Sequence, residues 1–192
     1  MSDAKALSEI YGYYVKNTTV SFEYDAPDES EFASRIAEKL KKYPFIVAEE
    51  NGVIFGYAYA SSFRDRAAYD WDAELSIYVS HGNYRRGIGK RLYSALLALL
   101  KLQHFANAYA VITFPNDPSV AFHEKLGFTL AGKFHKSGYK HGEWLDFVCY
   151  EKSFDHPVVP ERIIPFSALD KNDIEKILSA NQPPYITNIT KK

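Results

Sequence analysis

Tyr84-Arg85-Arg86-Gly87-Ile88-Gly89-Lys90 stands between an extended apolar stretch, 73–80, and a strongly amphipathic run, 87–105. Two glycines at a strand-to-helix junction let the backbone approach a bound group. The first N–H groups of the helix have no partner within it, and the helix dipole adds roughly half a positive charge there. Such a junction suits a diphosphate. The spacing is neither that of a P-loop nor that of a dinucleotide fingerprint, because the glycines are too close and a third is missing. By itself, the same run is also an ordinary glycine-containing turn before a core helix.

The chain on either side supplies context. Leu7, Ile10, Tyr11, Tyr14 and Val15 recur at helical spacing and predict a helix over 4–16. Asp28 caps a second helix with Glu31 in the capping-box position, and Phe32, Ile36 and Leu40 form its apolar stripe. The runs 45–48 and 53–60 flank Asn51-Gly52, the dipeptide that tolerates two positive φ values, so they predict a hairpin. An Arg-rich loop over 63–69 leads to the strand 73–80. The helix after the glycines buries Leu92, Leu96, Leu99 and Leu100. Another strand is expected over 108–114, then a helix with Asp117 as its cap, Pro118 in its first turn and Gly127 at its stop. Strands over 128–134 and 144–154 are expected to meet through a turn at 138–142. The order predicts a mixed sheet covered by helices. Beyond Phe154, prolines at 157, 160 and 165 change the composition, and 169–180 predicts one more short helix. The division expected is 1–154 as the main domain and 155–192 as an extension, packed on it or exchanged with a neighbour.

Composition bounds the functions. The 192 residues, 46% hydrophobic and 24% charged, suit one domain with a full core. A net charge of −1 argues against a nucleic-acid or membrane-surface partner. The single cysteine, Cys149, cannot form an internal disulfide and fits a reducing compartment. The N-terminus lacks a signal-peptide pattern, so the expected localisation is cytoplasmic. Fifteen Tyr and 13 Phe lean toward an aromatic pocket or interface.

Assembled in order, these pieces resemble the GNAT superfamily of N-acetyltransferases. The helix ending in Glu124-Lys125-Leu126-Gly127-Phe128 matches one of its motifs. The match narrows to the phosphinothricin N-acetyltransferase family through Ala68-Tyr69-Asp70-Trp71-Asp72-Ala73-Glu74, Tyr78-Val79-Ser80-His81, Pro115-Asn116-Asp117-Pro118-Ser119-Val120 and Gly138-Tyr139-Lys140-His141-Gly142. It runs over roughly residues 7–165. There are three departures. The family's usual first strand is missing, Tyr84 stands where Arg or Gln is usual, and the tail is long. The tail is a candidate to replace the missing strand at the sheet edge.

The resemblance implies an α/β fold: a central, mostly antiparallel mixed sheet flanked by helices and splayed in the middle to hold acetyl-CoA. It also implies direct acetyl transfer to the primary amine of a small amino-acid analogue, without metal and without an acyl-enzyme. A protonated amine cannot attack, so a base is needed. Glu74 matches the family's glutamate, although alone it reads as a solvated strand-end carboxylate. His123 matches a catalytic histidine that relays a proton or orients the thiolate, although alone it reads as a partly buried helix histidine. Cys149 lies in an apolar strand and is a poor nucleophile.

The cofactor side implied comprises Ile77, Tyr78, Val79, Arg85, Arg86, Gly87, Ile88, Gly89, Lys90, Asn116 and Ser119. The N–H of Val79, on a bulged strand, would polarise the thioester carbonyl, and Asn116 would bond the pantetheine arm. Phe22, Arg64, Arg66 and Tyr69 are the substrate side, where forked guanidinium donors suit a carboxylate or phosphinate. A homodimer is implied as well. Two other readings stay open: the same fold acting on an amino acid, polyamine or protein N-terminus, and a CoA-binding module without catalysis.

Overall fold

The computed structural model describes residues 3–181 and 186–188. Its elements run α1 (Ala4–Asn17), α2 (Glu29–Lys39), β1 (Phe45–Glu50), β2 (Val53–Ser62), β3 (Asp72–Val79), α3 (Ile88–Leu102), β4 (Asn107–Phe114), α4 (Asp117–Lys125), β5 (Thr129–Lys140), β6 (Glu143–Ser153), α5 (Lys171–Ala180) and β7 (Ile186–Asn188). One sheet orders the strands β5-β6-β4-β3-β2-β1-β7. Every neighbouring pair is antiparallel except β3 and β4, the expected mixed sheet.

That parallel pair is short. Its register runs only through Asp72↔Asn107, Ala73↔Ala108 and Glu74↔Tyr109, after which the strands part. Beyond Glu74, β3 keeps its partner β2 as far as Gly56↔Val79, and β4 keeps β6 as far as Phe114↔Asp146. The sheet is therefore forked at its centre, with Glu74 at the fork. The pairing of β2 with β3 shows no register shift, so the bulge expected at Val79 is not formed. Gly56 permits this, because a Cβ there would lie 2.8 Å from the Tyr78 carbonyl oxygen.

Two cores clamp the sheet. On one side, Leu92, Tyr93, Leu96, Leu99 and Leu100 of α3 pack with Ala58, Ala60, Leu75, Ala110 and Ile112 of the strands. On the other, Leu7, Tyr11 and Val15 of α1 and Phe32 and Ile36 of α2 meet Phe45, Val47 and Tyr57. The Asn51-Gly52 turn takes φ values of 52° and 80°, as its sequence demands. Two expected boundaries move. The cap of α4 is Asn116, whose side chain accepts from the Ser119 N–H, so Asp117 is the first helical residue. The β5–β6 turn contracts to His141-Gly142, both at positive φ, which leaves Gly138 inside β5.

The segment after β6 returns to the domain. Phe166, Ile174 and Leu178 join the core around α3, and β7 pairs with β1 at the sheet edge. No described helix is long and apolar enough to cross a membrane.

Candidate active site

Where β3 and β4 part, a cleft of about 510 Å³ opens. Its walls include Leu75–Tyr78 of β3, Ala110–Thr113 of β4, and Asn116, Ser119 and His123 of the α4 region. The loop after α1 covers it with Val20, Ser21, Phe22 and Glu23, and Glu74, Tyr59 and Tyr93 complete the lining.

Backbone polarity follows from strand alternation. The Ser80 N–H donates to the Phe55 carbonyl across the β2 edge. In an antiparallel ladder, bonded residues alternate, so Tyr78 and Ser76 also face β2 while the N–H groups of Ile77 and Val79 face the gap. The missing β4 partner thus leaves donors on the cleft wall. The Val79 carbonyl accepts from Tyr14 Oη at 2.6 Å.

At the mouth, Gly87 caps α3 in the left-handed region at φ 77°, and Arg85 is left-handed at φ 64°. The N–H groups of Ile88, Gly89 and Lys90 begin the helix and lie within its unpartnered first turn. A Cβ at Gly89 would sit 3.4 Å from the Phe122 ring and 3.5 Å from Ile77 Cδ1, so the start of α3 packs closely on Phe122 of α4 and on Ile77 of the β3 wall. Arg85 and Lys90 are exposed. Arg86 turns aside, donating to Asn83 Oδ1 at 2.7 Å with its guanidinium 4.8 Å from the Phe55 ring. Tyr84 joins an aromatic group: its hydroxyl lies 3.2 Å from that of Tyr14, and its ring meets His81 edge-on.

Glu74 is partly buried, and burial raises its carboxyl above the ordinary range, opposed by the charges of Lys39 and Arg64. Lys39 is itself lowered by burial and lies 4.8 Å over the Tyr59 ring. It lines a second cleft, of about 570 Å³ under α2, which shares Tyr11, Glu23 and Tyr59 with the first. His123 is buried, and burial lowers its imidazole. Nδ1 is 2.8 Å from the Ser119 carbonyl and Nε2 is 3.0 Å from Tyr93 Oη.

The structure therefore gathers Glu74, His123, Ile77, Tyr78, Asn116, Ser119 and Phe22 around one cleft, and Gly89 of the 85–90 turn lies against its wall at Ile77. Arg64, Arg66 and Tyr69 are outside the lining. Arg64 stacks 5.1 Å over Phe63, whose ring stacks on Tyr109, and its charge reaches Glu74. Arg66 caps the single turn Ala67–Tyr69, which ends in Tyr69, and both residues are on the exposed surface. Tyr93, Tyr59 and Lys39 are site residues that sequence reasoning missed: in a leucine-rich helix Tyr93 reads as core, and only packing shows its hydroxyl turned to His123.

The loop that roofs the cleft is anchored at several points. Lys140 Nζ, buried, donates to the carbonyls of Val15 at 2.7 Å and Ser21 at 2.6 Å. Thr113 Oγ1 donates to the Thr19 carbonyl and Tyr24 Oη to that of Tyr139. Phe22 lies against Gly138, where a Cβ would come within 2.4 Å of its ring.

Known proteins are similar to this chain in sequence and fold. The family profile described as acetyltransferase (GNAT) domain matches residues 1–149. A phosphinothricin N-acetyltransferase of Streptomyces viridochromogenes is 38% identical over 88% of this chain and 92% of its own. An L-methionine sulfoximine/L-methionine sulfone acetyltransferase of Salmonella typhimurium is 30% identical over 83% and 94%. A solved GNAT superfamily phosphinothricin acetyltransferase of Sinorhizobium meliloti, in complex with AcCoA, superposes with a TM-score of 0.81 at 35% identity, covering 87% and 93% of the two chains.

Proposed function

This chain belongs to the acetyltransferase (GNAT) family, and we propose that it transfers an acetyl group from acetyl-CoA directly to the primary amine of a small amino-acid analogue of the phosphinothricin or methionine sulfoximine type. The observation that carries this reading is the forked sheet, with a partly buried carboxylate at the fork and gap-facing N–H groups beside it.

The residues present suit acetyl-CoA. Its pyrophosphate would rest on the first turn of α3 and the 85–90 backbone, where the left-handed Gly87 and the close-packed Gly89 bring N–H groups near. Its pantetheine arm would run in the gap, beside Ile77, Tyr78, Val79, Asn116 and Ser119. Bound there, acetyl-CoA supplies the activated acyl group. The gap-facing Val79 N–H is placed to donate to the thioester oxygen, a contact worth on the order of 3 kcal/mol in other enzymes. Glu74 takes one of the two protons that the amine nitrogen must lose in becoming an amide, its raised carboxyl pKa bringing it nearer to an amine's working range. His123 is the second proton-handling group. Phe22 closes the amine side, and Arg64, whose charge reaches Glu74, is the guanidinium group offered to an acidic substituent. Arg66 and Tyr69 would join it by movement of the 63–69 loop.

A second reading rests on the lining itself, which among the described residues carries Glu74 and the Arg35-paired Glu23 and neither lysine nor arginine. That favours an amine without an acidic group. Thiol release with acetyl-CoA across a panel of phosphinothricin, methionine sulfoximine, amino acids and polyamines tests both. Turnover of the first two at the highest kcat/KM is expected, and preference for a polyamine would overturn the first reading. We further propose a cytoplasmic homodimer. Phe134, Tyr139 and Trp144 are exposed on the β5–β6 hairpin and favour such an interface, for which light scattering is the check.

A further inference from the structure

We propose that Tyr93 is the group that meets the reacting atoms, and that His123 acts through it, the pair carrying one proton from the incoming ammonium to the departing thiolate. This deepens the acetyl-transfer reading above and rests on it.

The argument begins with the imidazole's two nitrogens. A carbonyl only accepts, so the 2.8 Å contact with the Ser119 oxygen puts a hydrogen on His123 Nδ1. Burial favours the neutral ring, so Nε2 carries a lone pair. The contact at 3.0 Å then has Tyr93 Oη donating to Nε2. Tyr93 and His123 are equally buried, at 1% and 3% exposed, and both line the cleft, so what separates them is bonding: both imidazole nitrogens are engaged by the protein. Phe122 and Phe128 hold it edge-on at 5.2 and 5.3 Å between centroids. No nitrogen is left for a molecule in the cleft. The Tyr93 oxygen does keep lone pairs, and Tyr93 lines the same cleft as Glu74. The titratable groups facing this hydroxyl are Glu74 of β3, Tyr59 of β2 and His123 of α4.

The step balances without an ionised tyrosine. The substrate ammonium donates to Tyr93 Oη while the tyrosine's own proton passes to Nε2, leaving a free amine, a neutral tyrosine and an imidazolium. The amine lone pair forms the N–C bond, and the C–S bond breaks with its electrons on sulfur. Nε2 returns its proton to Tyr93 Oη as that hydroxyl protonates the thiolate. The second amine proton leaves through Glu74. One proton ends on the thiol and one in solution, as the overall reaction requires.

Tyr93→Phe removes the hydroxyl and keeps the ring that packs on Phe122, His123 and Phe128. Its kcat should fall on the order of 10²-fold, with KM for acetyl-CoA little changed. His123→Ala should lose about as much, and the double variant no more than either alone, because the two act as one unit. Nitrogen NMR on histidine-labelled protein supplies a readout independent of turnover. The unmodified protein should show His123 with its proton on Nδ1, and Tyr93→Phe should move Nε2 toward the shift of an unbonded lone pair. Wild-type kcat in Tyr93→Phe beside a damaged His123→Ala would overturn the relay alone. A proton on Nε2 in the unmodified protein would overturn it as well. A wild type that releases no thiol with any amine would overturn the acetyl-transfer reading, and the relay with it.

Discussion

For Glu74, the proposed role and its cost come from the same place. Burial raises its carboxyl pKa, so the folded state binds a proton more tightly than the unfolded chain does. Stability is therefore highest below the ordinary carboxylate pKa and is lost as pH rises through the raised folded value. Once ionised, Glu74 is a destabilising group, and under the proposed reading its work as a base is what offsets that cost. Glu74→Gln should raise the melting temperature at pH 7, on the order of 2 °C, while kcat falls about 10²- to 10³-fold. The melting difference should vanish near pH 4, where wild-type Glu74 is protonated. A Glu74→Gln variant that melts lower at pH 7 would show that Lys39 and Arg64 outweigh the desolvation. The position of Glu74 was legible in sequence because it precedes the glycine turn on one strand. Its environment was not, since Lys39, Tyr59 and Tyr93 reach it from three other elements.

At the scale of elements, the fork depends on residues with no chemistry of their own. Gly56 faces Val79 so closely that a side chain would press on the β3 backbone, with 2.8 Å to the Tyr78 oxygen and 3.2 Å to Val79 Cα. Gly56→Ala should shift the strand that carries the gap-facing N–H groups. A loss of roughly 1–3 kcal/mol in stability is expected, with a KM for acetyl-CoA raised several-fold, measured by urea melts and steady-state kinetics. Unchanged values would mean that β2 yields instead. Lys140 has a comparable part in the roof. Lys140→Met would strand the Val15 and Ser21 carbonyls and free the loop bearing Phe22, so the amine KM should rise while that for acetyl-CoA holds. The hairpin at Asn51-Gly52 and the cap at Asp28 were readable because each is a local backbone requirement. The Asn116 cap and the two-residue turn at 141–142 were placed slightly wrong: Asp117 and Gly138 carry the same signals, and only the Asn116 bond to the Ser119 N–H and the β5–β6 register separate them.

Across the whole molecule, the segment beyond Phe154 is the least legible part of the sequence and the one most dependent on distant contacts. Its prolines read as a tail, yet Gln103, fully buried at the end of α3, donates from Nε2 to the carbonyls of Lys42 at 2.8 Å and Ile164 at 2.7 Å. The Phe166 N–H donates to that same Lys42 carbonyl, and Trp71 Nε1 donates to the Glu161 carbonyl just before β3. We propose that residues 155–181 and 186–188 are part of the domain's folding unit. Burying Phe166, Ile174 and Leu178 contributes roughly 1.5–3 kcal/mol each, an upper estimate against a fully extended chain. Truncation after Phe154 should thus lower the melting temperature by more than about 10 °C or leave the protein insoluble, at roughly 2–4 °C per kcal/mol for a chain of this size. Leu178→Ala gives a milder measurement, with a loss of about 2–5 kcal/mol expected in urea melts of the full chain. A truncated protein that melts with the intact one would show that α5 only rests on α3, and that the sheet holds its fork without it.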